Sequence, residues 1–255
     1  MSSIYILARL TFRTYLQEKI LLVVTVFAGL LMVSSFVLSP LAVGARQKIV
    51  IDIGLASISI FSVVLIVLLG AGSFYVEKER GILRAILAKP VSRVEFVLGK
   101  YLGTVTTVWT VIALMACVHM LVVWTSGAAL TANMGRAVYM TLLEAALVTG
   151  LLTLFASFTS PVLGSFFTVA CVVSGHFSAD LLAFASRFGG AVPHALARGF
   201  YYLLPNLALL SVRAEAVHNL ALPPGFMFTV SLYALIYTSV VVYLATLVFR
   251  VREVN

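Results

Sequence analysis

Apolar residues recur along this chain in runs of about 20, each long enough to cross a membrane as one helix, with short polar stretches between them. The runs predict spans over Ile20 to Leu38, Leu55 to Val76, Tyr101 to Trp124, Ala137 to Phe158, Val162 to Phe184 and Phe226 to Phe249. Ahead of them, Met1 to Lys19 is mixed. Arg9, Arg13 and Gln17 fall at i, i+4, i+8, and Ile4, Leu7, Ala8 and Tyr15 lie roughly opposite, which predicts an interfacial helix lying on the membrane. Ser39-Pro40 closes the first span, and a polar loop with Arg46, Lys48 and Asp52 follows. Ser160-Pro161 predicts a tight turn with serine as N-cap and proline at the first helical position. Ala185 to Gly225 carries Pro193, Pro205, Pro223 and Pro224. Its apolar piece, Phe200 to Val212, is too short and broken to span, so short re-entrant or surface helices are expected before the last span. The whole of 1–255 reads as one transmembrane domain, an all-α polytopic membrane protein.

Composition strengthens that reading. Of the 255 residues 62% are hydrophobic and 10% charged, with a mean hydropathy of +1.12. A soluble domain averages roughly 45–50% apolar and about 25% charged. The net charge of +8 is no nucleic-acid signature, because the cations sit in clusters between apolar runs, where they set topology and meet anionic lipid. With both termini cytoplasmic, eleven Arg and Lys fall inside (Arg9, Arg13, Lys19, Lys78, Arg80, Arg84, Lys89, Arg93, Lys100, Arg250 and Arg252). Six fall outside (Arg46, Lys48, Arg136, Arg187, Arg198 and Arg213), half of them in the long segment where charge steers least. The positive-inside rule favours this orientation. Cys117 and Cys171 lie within predicted spans and read as small core residues rather than a disulfide. The N-terminal run does not read as a cleavable signal.

The most informative stretch is Glu77 to Lys100. It opens as a helix with Ile82, Ile86 and Leu87 on one face and Lys78, Arg80, Arg84 and Lys89 off it. Pro90 stops that helix. Ser92 and Glu95 then form a capping box, with Val91 and Phe96 spaced as a hydrophobic staple, so a firmly capped helix leads into the third span. A rigid amphipathic piece between two spans is a lever that a soluble partner can push. The plain alternative is an ordinary positively charged loop.

Glu77-Lys78-Glu79-Arg80-Gly81-x-Leu83, then Leu87-x-x-Pro90-x-x-Arg93 and Gly99-Lys100, resembles the cytoplasmic signature of type 2 ABC-transporter permeases, including the permease-like subunits linked to nitrous oxide reductase maturation. The layout of interfacial helix, six spans and a broken segment before the last extends the resemblance over nearly the whole chain. It implies that Glu77, Lys78, Glu79, Arg80, Gly81, Leu83, Arg84, Leu87, Pro90 and Arg93 form a coupling helix seated on a separate ATP-binding subunit. It further implies an exporter in the bacterial inner membrane, built from two copies of this chain and two ATPase chains that carry the ATP and magnesium. No G-x-x-x-x-G-K-[ST] occurs, so the chain itself is expected to be non-catalytic and to hold no cofactor or metal.

Three polar residues lie within the apolar runs. Glu144, in the fourth, is either a substrate contact or charge gate, or a protonated or paired carboxylate between helices. His176 and Asp180 sit at i, i+4 in the fifth run, lining an outer mouth or forming a local hydrogen-bonded pair. No further ligand stands at metal-binding spacing. His119 reads as a satisfied interhelical donor, and Trp124, Tyr201 and Tyr202 as interface aromatics. Gly54, Gly70, Gly72 and Gly103 permit close helix crossing, though glycine is frequent in membrane helices anyway. Two other readings use the same polar residues: a proton-coupled secondary transporter, which often shows inverted repeats not seen here, and a membrane-embedded enzyme using Glu144, His176 and Asp180, though H-E-x-x-H is absent.

Overall fold

The computed structural model describes residues 3–18, 46–73, 92–188 and 190–251, together with Val24, Val26, Phe27, Gly29, Leu30, Leu31 and Val33, and these seven are helical. The described residues are all-helical, with no strand. The helices are α1 (Ser3–Glu18), α2 (Arg46–Ser73), α3 (Arg93–Thr125), α4 (Ala132–Phe158), α5 (Pro161–His176), α6 (Ser178–Phe188), α7 (Ala191–Leu203), a 3-10 turn (Leu207–Leu210), α8 (Arg213–His218) and α9 (Phe226–Val251).

Four of them, within α2, α3, α4 and α9, are long and apolar enough to cross a membrane. The first predicted span lies mostly outside the described residues. The fifth is corrected: the helix stops at His176 and a new one starts at Ser178, so Val162 to Phe184 is not one rod. The 16 residues of α5 give about 24 Å of helix, short of the roughly 30 Å hydrocarbon thickness. Ser178 Oγ donates to the Gly175 carbonyl at 3.1 Å, and Asp180 falls in the first turn of α6, where a carboxylate suits a helix N-terminus. The expected loop around Arg46, Lys48 and Asp52 is likewise the opening of α2, since no Pro or Gly interrupts it. Ser160 caps α5 with proline at its start, as the sequence predicts.

The centre of the bundle is α4, which packs against α2, α3, α5 and α9. Its apolar stretch is 67% buried within the chain, against 33% for α9. A helix apolar on every side suits such a place. Side-chain bonds to main-chain carbonyls tie α3 to α4, from Trp109 Nε1 to Leu142 at 2.8 Å and from Tyr101 Oη to Ala146 at 3.3 Å. Two buried hydroxyls of α4 turn back onto their own helix, Thr149 to Ala145 at 2.7 Å and Thr153 to Thr149 at 2.8 Å, so they present no unmet donor to apolar surroundings.

The bundle has two distinguishable ends. At the near end, Ser92 caps α3: its Oγ accepts from Glu95 N at 3.2 Å, and its own N–H donates to Glu95 Oε2 at 2.8 Å, the predicted capping box. Arg93 donates to the Arg250 carbonyl at the end of α9 (2.9 Å), and Phe96 stacks on Phe249. Here α1 lies along the first turns of α3, with Leu7, Thr11 and Tyr15 buried and Arg9 and Arg13 exposed. Glycine permits the contact. A Cβ added at Gly99 would lie 2.6 Å from Leu7 Cβ, and one at Gly103 2.6 Å from Thr11 Cβ. At the far end, Gln47 donates to the Gly127 carbonyl, and Asn133 donates to both Asn219 Oδ1 and the Leu220 carbonyl, each at 3.0 Å. Asn219 takes the left-handed conformation (φ 51°) that closes α8, a role asparagine tolerates.

Candidate functional site

The site grows from one buried acid. Glu144 lies mid-way along α4 and is 4% exposed. At 1.5 Å per residue it stands about 21 Å of helix from the near end, and His176, the last residue of α5, stands about 22 Å from that end. The two antiparallel helices therefore bring both side chains to one depth. His176 Nε2 lies 3.4 Å from Glu144 Oε1. Its other nitrogen, Nδ1, is 3.1 Å from the Val172 carbonyl, and since a carbonyl only accepts, Nδ1 carries a proton. At 3.4 Å the contact is longer than a charge-assisted hydrogen bond of about 2.7–2.9 Å. Oε1 has no hydrogen bond from any described residue.

The break after His176 makes room for what lies beyond. Pro205 and Leu207 press on Gly175, where an added Cβ would stand 2.6 Å from the Pro205 carbonyl oxygen. The Leu207–Leu210 turn packs on both α4 and α5 with both of these leucines buried, and Tyr233 Oη accepts from the Asn206 N–H at 2.9 Å. Between α2, α4, α5 and this turn lies a cavity of about 700 Å³. Aliphatic side chains such as Val63, Val67, Val169, Val172 and Val212 make most of its wall, and Glu144 and His176 are set into it. Arg213 stands at its far rim and pairs with Asp52, Nε to Oδ1 at 3.0 Å, both side chains about half exposed.

The predicted site residues divide accordingly. Glu144 and His176 come together, although spacing placed His176 with Asp180; Asp180 lies in the first turn of the next helix and is exposed. Arg93 is held at the near end. Glu77, Lys78, Glu79, Arg80, Gly81, Leu83, Arg84, Leu87 and Pro90 lie outside the described residues. His119, expected to be a satisfied donor, is 1% exposed, and neither ring nitrogen has a hydrogen-bond partner among the described residues. Its ring lies on Gly54, which has no side chain to obstruct it. Cys117 is exposed, not a core residue, and both cysteines are free thiols. Among the described residues no three His, Cys, Asp or Glu side chains converge as a metal site. The Asp52–Arg213 pair escapes sequence reading because its partners lie far apart in the chain with no shared periodicity. A scan against protein-family models and a search of curated proteins find no match to the chain.

Proposed function

We propose that this chain is the membrane-spanning subunit of an ATP-driven exporter of the ABC type. In this reading it sits in the bacterial inner membrane with both termini cytoplasmic, and two copies work with two separate ATP-binding subunits. The observation that carries the proposal is the segment Glu77 to Lys100, whose residues resemble a permease coupling signature and end in a capped helix start. The packing at that end supports the reading. A push on the segment would meet α3 at Ser92, and α3 is joined there to α1 through Gly99 and Gly103 and to α9 through Arg93 and Phe96. Trp109 and Tyr101 continue the connection into α4, which carries Glu144. The absence of a P-loop sequence is consistent with hydrolysis on a partner chain.

One observation favours a second reading. The meeting of Glu144 and His176 across α4 and α5 would suit a secondary transporter driven by protons. Co-purification separates the two. Tagged chain extracted from its native membranes in mild detergent is expected to bring down an ATP-binding cassette protein in roughly equal amount. Arg84→Glu should lose that protein while remaining inserted. Recovery of the intact chain without any ATPase would favour proton coupling.

A further inference from the structure

We propose that the cavity between α2, α4 and α5 is a binding site for an organic cation with an apolar body, and that Glu144 is its counter-ion. The cavity's size, about 700 Å³, falls within the roughly 300–1,000 Å³ of small-molecule sites. Its wall is aliphatic, which suits an apolar body and offers little to a sugar or nucleotide. Its charges decide the sign. At the rim, Arg213 is already paired with Asp52 at 3.0 Å. From α5 comes His176, whose Nδ1 is engaged by Val172 and whose Nε2 faces the carboxyl group. His119, on α3, packs against Gly54 of α2 and does not line the cavity. Among the described residues, what remains aimed into the space is a carboxyl group 4% exposed whose Oε1 accepts no hydrogen bond. A buried acid in an apolar wall is costly to keep, and the 3.4 Å contact with His176 leaves Oε1 without a hydrogen bond, so a cation with apolar substituents supplies both charge and covering surface. The inference names the class of cargo for the permease proposed above, and it rests on that reading only for the step from binding to export.

Tetraphenylphosphonium and tetraphenylborate have nearly the same shape and opposite charge, so together they isolate the charge term. Equilibrium dialysis would use the purified full chain in phosphatidylcholine nanodiscs, with empty nanodiscs as background. Saturable binding of the phosphonium and little binding of the borate are expected. Glu144→Gln should weaken phosphonium binding by roughly tenfold or more, as loss of a buried charge partner does. Ser59→Trp fills the cavity from α2 and keeps the acid, and should also remove binding if Glu144→Gln fails to fold. Equal binding of the two ions, or phosphonium binding unchanged in both variants, would overturn the proposal and leave the cavity to lipid chains or a second copy. Because no ATPase takes part, a positive result in a chain that captures no ATP-binding partner would keep the site and reject the permease reading.

Discussion

Glu144 and the glycines show how far single residues determine this bundle. Thr149 and Thr153 meet their hydrogen-bonding needs within their own helix, whereas Glu144 does not, and it stands against His176 across a helix seam. Its depth was legible in the sequence, because an acid in an apolar run is conspicuous. Its partner was not, because periodicity within one run cannot report which residue of the next helix reaches the same depth. Gly54 is a comparable case. It was legible as a close-approach position, but not as the seat of His119. Gly54→Ala should therefore destabilise the protein by about 1–3 kcal/mol through overpacking. Combining it with His119→Ala should recover much of that loss, since the collision is between these two groups. Thermal unfolding midpoints of the four proteins in detergent check the coupling; strictly additive losses would remove His119 from the seam.

Among the elements, the starts of α3 and α5 were readable because each is encoded locally, by Ser92 with Glu95 and by Ser160 with Pro161. The split between α5 and α6 was harder to see. Ser178 and Asp180 are an N-terminal signal, but the apolar residues around them hide it when length alone defines a span. The opening of α2 was missed for the opposite reason, since polar residues without a breaker remain good helix formers. The seam between α1 and α3 depends on the absence of side chains at Gly99 and Gly103. Gly103→Leu should lift α1 from it. In nanodiscs, trypsin is then expected to cut after Arg9 and Arg13 several-fold faster than in the wild type, with Gly103→Ser intermediate. Unchanged cleavage would mean that α1 is held by other contacts.

For the whole molecule, the pattern of apolar runs was enough to establish a helical chain with spans long enough for a membrane, and four such helices are present among the described residues. The fold places the capped start of α3 and the end of α9 together at one end, and Asp52, Arg213 and Asn219 at the other. That polarity makes the proposed coupling surface testable by position. A photo-crosslinking amino acid placed at Leu87 should label an ATP-binding cassette protein in native membranes, and the same group at Trp124, in the last turn of α3 at its opposite end, should not. Labelling of such a protein from Leu87 alone is the predicted result. Labelling of it from both positions alike, or of lipid and unrelated proteins alone from Leu87, would contradict the account.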